Sequence, residues 1–216
     1  MKVIVFGSTG GTGQATLRAL VAAGHQATAF ARNPAKLSGI ASIRTMRGDV
    51  MQPADVAGAV PGHDVVVVSL GNSQNPFTLM LGGCRTTAHD VCEAGTRHIV
   101  GAMQTASIHR LVVVTAFGIG DTRSSLPFAF KLFYRTVLRE HMADKEKQEA
   151  LVKASRLDWT LVQPVGLTDG PPTGTWLADT ASRIRRQQIS RADVAAFLVT
   201  LIDGTPCSRS TVALSG

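Results

Sequence analysis

A chain of 216 residues with 44% hydrophobic content is long enough to bury one sizeable core, so a single domain spanning 1–216 is expected. No apolar run approaches the roughly 20 residues of a membrane span, no leader-like pattern precedes the first strand, and Cys84, Cys92 and Cys207 lack metal-ligand spacing, which suits free thiols in a reducing, cytoplasmic setting. The net charge of +7 is scattered apart from Arg183, Arg185 and Arg186, and with 5% aromatics and no zinc-finger or basic-heptad pattern it argues against nucleic acid and for a polyanionic small molecule.

Val3 to Phe6 is a short apolar run suited to a strand covered on both faces. Gly7, Gly10 and Gly13 follow at every third position. Gln14 to Ala23 then carries Leu17, Leu20 and Val21 at helical spacing, with Gly24 placed to end the helix. Strand, glycine turn and helix bring backbone amides and a helix N-terminus against a diphosphate. The first glycine permits the tight turn, the second the close approach of the phosphates, and the third the packing of helix on strand. Ser8, Thr9 and Thr12 add hydroxyl donors. In this context the motif predicts nucleotide binding.

Gln26 to Ala31 reads as the second strand. An acid at its end would bind a free ribose 2′-hydroxyl, but no Asp or Glu occurs between Met1 and Arg47. Arg32 stands there instead, with Lys36 a turn further on, and a guanidinium suits a 2′-phosphate. NADP(H) is therefore expected over NAD(H). Ile43 to Arg47 is a weaker strand, followed by Gly48-Asp49-Val50 and a short helix from Pro53 to Val60. Asp49 either accepts from the adenine amino group, with Val50 against the ring, or caps the following turn.

Asp64 to Leu70, with four consecutive valines, predicts a fully buried strand whose end at Gly71 lets the chain pass close to a cofactor. Cys84 to Ala106 has a long helical pattern. His109 to Phe117 contains a fifth strand ending at Thr115. Phe128 to Leu138 and Met142 to Ala154 read as helices, and Asp158 to Val162 as a sixth strand ending in Gln163-Pro164. Gly166 to Gly174 is glycine- and proline-rich, which predicts a loop. A short strand at Ile189 to Ser190, a helix from Arg191 to Ile202 and a last strand from Val212 to Leu214 complete the chain. The alternation predicts an α/β, Rossmann-type doubly wound parallel sheet, with the late loop and a hairpin as a small C-terminal substrate lid.

In order along the chain, G-S-T-G-G-T-G, A-R-N-P, G-D-V, V-S-L-G, V-T-A-F-G, D-W-T-L-V-Q-P and I-S-R-A-D-V-A resemble the atypical short-chain dehydrogenases. They are most similar to the single-domain NAD(P)H-binding group that includes flavin reductase (biliverdin-IXβ reductase) and the NmrA-like proteins. The resemblance implies that Gly7, Thr9, Gly10, Thr12 and Gly13 cradle the diphosphate, that Arg32 takes the 2′-phosphate, and that Asp49 and Val50 meet the adenine. It also implies that Leu70 and Gly71 flank the middle of the cofactor, that Thr115 lies near the nicotinamide, and that Pro164 and Val165 lie beside its amide. Flavin reductase relatives carry a histidine where this chain has Val165.

The Tyr-x-x-x-Lys pair of the commonest short-chain dehydrogenases is missing, because Tyr134 has Leu138 four residues on. His141 and Lys145 do share a helix face at i and i+4. His141 is thus a candidate general acid and Lys145 a candidate partner of the nicotinamide ribose. The alternative makes His141 a surface residue and Lys145 an ion-pair partner of Glu149. Phe117, Phe128 and Trp176 are candidate walls for a flat acceptor; Phe128 and Trp176 equally suit core or loop-anchoring roles. The expected activity is NADPH-dependent reduction of a flavin, a quinone or a similar flat conjugated acceptor. The alternatives are an NmrA-like sensor that reports cofactor state to a protein partner, and a carbonyl reductase or epimerase.

Overall fold

The computed structural model describes residues 1–71, 87–125, 138–204 and 208–216. Strands β1 (Lys2–Phe6), β2 (Gln26–Ala31), β3 (Arg44–Arg47), β4 (Val65–Val68), β5 (Arg110–Val114), β6 (Asp158–Pro164), β8 (Leu177–Asp179) and β10 (Ser210–Ser215) form one sheet. Their order is β3-β2-β1-β4-β5-β6-β10-β8. Every neighbour pair is parallel except β10 with β8. Strand order reverses between β1 and β4, which opens a crevice at their carboxyl ends.

Period-two alternation divides each central strand between two cores. Val3 and Val5 of β1, and Val65 and Val67 of β4, enter a cluster with Leu17, Leu20, Leu198 and Ile202. Ile4, Phe6, Val66 and Val68 enter the opposite cluster with Val56, Ile99, Met103 and Val152. The valine run is therefore apolar throughout because helices cover both faces. Helices α1 (Gly11–Ala22) and α5 (Arg191–Asp203) pack on the first face, and α2 (Pro53–Ala59), α3 (Val91–Thr105) and α4 (Arg139–Ala154) on the second. No helix among the described residues is long and apolar enough to cross a membrane.

Some boundaries differ from expectation. Helix α1 begins at Gly11 rather than Gln14, because the positive φ of Gly7 (77°) completes the turn early. Helix α3 starts only at Val91; Cys84, Cys207 and residues 128–137 of the helix expected over 128–138, with Phe128 and Tyr134, lie outside the described residues, and Leu138 is the N-cap of α4. Cys92 is buried, and burial pushes its thiol up to about 12, so it stays protonated at neutral pH.

The expected lid hairpin is instead a parallel pair. β7 (Gly166–Thr168) and β9 (Gln188–Ser190) form their own two-stranded sheet, while β8 joins the edge of the main sheet. Ser190 caps α5 by accepting from the Asp193 amide, and its hydroxyl donates back to Asp193 at 2.8 Å, a reciprocal capping arrangement. Asp193 also accepts from the amides of Thr173 and Gly174 at 2.9 and 3.0 Å. One buried carboxylate therefore ties the Gly/Pro-rich loop to the start of α5.

Candidate functional site

The crevice at the switch point is a cavity of about 590 Å³, bounded by the ends of β1, β2, β4 and β5 and by the start of α1. That volume suits a small-molecule cofactor site. Gly7 shapes its floor: a Cβ there would lie 2.5 Å from the Ser69 carbonyl carbon at the end of β4. A Cβ on Gly13 would lie 2.8 Å from the Ser8 Cα, so Gly13 serves helix packing and does not line the cavity. Thr9, Gly10 and Thr12 do line it. Helix α1 opens at Gly10 with no side-chain cap and no acid in its first turn, leaving first-turn amides and the positive dipole end for an anion. These features fit a dinucleotide diphosphate. Ser8 is buried away from it, its hydroxyl donating to the Phe30 carbonyl at 2.8 Å.

Arg32 and Lys36 line the cavity beyond the end of β2, and among the described residues neither has an ion-pair partner. With Lys145 and Arg191 they make four cationic side chains around the cavity against one acid, Asp49, among the described residues. Such a wall favours a polyanion. Asp49 caps its own turn, accepting from the Met51 amide at 3.0 Å. Val50 and Leu70 line the cavity and are backed by Gly95 of α3, where a Cβ would come within 2.8 Å of Val50 and 3.0 Å of Leu70. Gly71 lines the same wall.

At the end of β5, Thr115 lines the cavity and its hydroxyl donates to Glu149 Oε1 at 2.6 Å. Gln163 Nε2 of β6 donates to the same oxygen at 2.7 Å and to the Ile119 carbonyl at 3.2 Å. Burial, the largest influence, raises the Glu149 pKa above the ordinary carboxyl range despite these bonds. Lys145, one turn before Glu149 on α4, donates to the carbonyls of Leu70 and Val114 at 3.1 and 3.4 Å. Its ammonium thus bridges the ends of β4 and β5 and is not paired with Glu149. The register of α4 is set from α3: Asp144 accepts from the Cys92 and Glu93 amides, both at 2.9 Å, and Gln148 donates to Thr96 at 2.8 Å.

Several residues expected at the site are not among the described residues that line this cavity. Phe117 is 4% exposed inside the first core cluster; its amide donates to the Pro164 carbonyl, so the chain keeps running beside β6 and turns the ring inward. Trp176 stacks edge-on against Phe197 at 6.3 Å and anchors the lid segment rather than lining the cavity. Pro164 and Val165 do not line it either; the Val165 amide donates to the Leu214 carbonyl at 3.0 Å, which keeps the segment in the sheet. His141 is not among the lining residues, whereas Lys145 is.

Sequence reasoning missed Glu149, Gln163 and Arg191. Arg191 reaches from the start of α5 to the glycine turn, where a Cβ on Gly11 would touch its side chain at 2.8 Å. It pairs with Asp169 at 2.7 Å. The position of Glu149, four residues after Lys145, was the available signal for that residue; Gln163 and Arg191 stand in the motifs D-W-T-L-V-Q-P and I-S-R-A-D-V-A, which gave neither a role.

A parallel sheet with a glycine turn, uncapped helix start and cationic cavity at its switch point defines a dinucleotide-binding protein. The chain belongs to the NAD(P)H-binding family, whose model matches residues 7–205. It is 28% identical over 214 residues to the uncharacterized sugar epimerase YhfK of Bacillus subtilis, covering 94% of this chain and 88% of that one. Among solved structures it resembles ChuY, an anaerobillin reductase from Escherichia coli O157:H7, with a TM-score of 0.79, 24% identity, and 100% and 97% of the two chains covered. It also resembles a short-chain dehydrogenase/reductase from Veillonella parvula in complex with NADP, with a TM-score of 0.81, 15% identity, and 100% and 94% covered.

Proposed function

We propose that the protein is an NADPH-dependent reductase of a flat conjugated acceptor such as a flavin or a quinone. The observation that carries this is a single cavity with Arg32 and Lys36, which have no ion-pair partner among the described residues, on its wall beyond β2 and with Thr115 and Lys145 on its wall at β5. Arg32 and Lys36 hold the 2′-phosphate, the α1 amides and Arg191 hold the diphosphate, and Val50 and Leu70 flank the adenosine half. When bound, the reduced nicotinamide supplies the hydride. Lys145 is held by two strand-end carbonyls and fixes the ribose; Val91, Val114 and Leu167 add apolar wall to the same cavity. The reductase activity named for ChuY supports the same chemistry.

The test is NADPH oxidation with FMN, a quinone and a carbonyl panel. Turnover with flavin or quinone supports the proposal. Turnover with carbonyls alone favours a carbonyl reductase, and tight NADPH binding without turnover favours a sensor. Arg32→Ala is expected to weaken NADPH by roughly 2 kcal/mol, about 30-fold in Kd, and NADH hardly at all. Arg191→Ala, acting at the diphosphate, is expected to weaken both coenzymes alike. Calorimetric titration of each variant with each coenzyme checks both statements, and an equal loss for Arg32→Ala removes the 2′-phosphate assignment.

A further inference from the structure

A buried carboxyl accepts from the hydroxyl of Thr115, a residue that lines the cavity. Glu149 is 2% exposed. Its Oε1 is 2.6 Å from Thr115 Oγ1 and 2.7 Å from Gln163 Nε2, while its buried Oε2 has no hydrogen-bond partner among the described residues. Oε2 instead lies against Gly120, where even a Cβ would overlap it. An ionised carboxylate would leave a charged oxygen unsolvated there, at a cost that favours the neutral acid. A conjugated acceptor that has taken up a hydride still needs a proton, and the sequence lacks the Tyr-x-x-x-Lys pair that supplies one in the commonest short-chain dehydrogenases.

We propose that Glu149 is the proton store of the site and Thr115 its delivery group. This rests on the reductase assignment above. With the hydride, two electrons and one proton reach the acceptor and leave negative charge on its oxygen or nitrogen. The Thr115 O–H bond breaks as the acceptor O–H or N–H bond forms. In the neutral acid Oε1 carries the proton and donates to Thr115 Oγ1, which reverses the 2.6 Å bond and frees the Thr115 hydrogen for the acceptor. The Glu149 O–H bond breaks as Thr115 regains its proton, and Glu149 is reprotonated through Thr115 from water in the cavity before the next turnover. Gln163 donates to Glu149 Oε1 and to nothing in the cavity, so it is a positioning residue that orients the carboxyl toward Thr115. The charged groups facing Glu149 are Lys153 of the same helix and Asp121 of the 120–125 turn, which pair with each other at 2.7 Å; β5 and β6 present only the neutral Thr115 and Gln163. These two charges act in opposite directions, and burial is the largest influence on the carboxyl.

The experiment compares wild type, Glu149→Gln and Thr115→Ala with two acceptors. A quinone needs a proton after hydride uptake; the N-methylphenazinium cation takes the hydride and needs none. Both variants are expected to lose at least tenfold in quinone turnover and to retain phenazinium turnover. The wild-type quinone rate is expected to fall as pH rises through the raised Glu149 pKa, and the Glu149→Gln rate to lack that limb. Independently of turnover, infrared difference spectra of the cofactor-free protein at neutral pH are expected to show a protonated carboxyl C=O band that Glu149→Gln abolishes. Absence of that band, or equal loss with both acceptors, overturns the relay. Wild-type protein that binds NADPH but reduces no acceptor overturns the reductase assignment, and the relay with it.

Discussion

Gly7→Ala is expected to lose NADPH binding and to destabilise the fold by about 4 kcal/mol. Two separate costs add. The residue adopts φ of 77°, which costs an L-residue about 1 kcal/mol or more. The new methyl would also overlap the Ser69 carbonyl, which is backbone at the end of a neighbouring parallel strand. The Ser69 amide donates to the Phe6 carbonyl at 2.9 Å, which ties this end of the β4 segment to β1. Relief requires β1 and β4 to part at their carboxyl ends, and the diphosphate floor opens with them. Urea denaturation and coenzyme titration check the two halves of the statement. A variant of unchanged stability that still binds NADPH tightly would contradict the geometry assigned to this turn.

Asp193→Ala is expected to cost about 3 kcal/mol, since its removal leaves several donors without acceptors under the lid. Thr173 and Gly174 lose their anchor, so hydrogen exchange at those amides should quicken along with the drop in stability. The same carboxyl has a pH signature. Burial acts to raise its pKa, but the hydrogen bonds from Ser190, Thr173 and Gly174 outweigh it and hold the group below the ordinary carboxylate range. Its folded pKa therefore lies below the unfolded value of about 3.9. The stabilisation is complete above that unfolded value and is lost as pH falls through the folded one. Stability measured between pH 6 and 2.5 should fall less steeply for Asp193→Asn than for wild type. Parallel acid limbs would show that this carboxyl plays no part in the acid response.

Local pattern carried much of this. Val3 to Phe6 and Val65 to Val68 are readable because a strand buried on both faces must be apolar at every position. Gly7 and Gly13 are readable because their backbones come too close to neighbours for any side chain. Arg32 is readable as a cavity residue because it follows directly on the end of β2, where the crevice opens. Phe117 misled because the sequence shows where a strand ends but not which way the next ring turns; the bond from its amide to Pro164 settles that. The lid pair misled for a related reason: hairpins are local, and the partners β7 and β9 are joined through a parallel register twenty residues apart in the chain.

What the order of residues alone determines here is everything that depends on near neighbours: strands, helices, the glycine turn and the basic residue in place of an acid. Thr115, Glu149 and Gln163 belong to β5, α4 and β6, and Arg191 approaches Gly11 from the far end of the chain. Their meeting is set by how helices dock on the sheet, because hydrogen bonds between distant segments have no periodicity to betray them and exist only once both faces are packed.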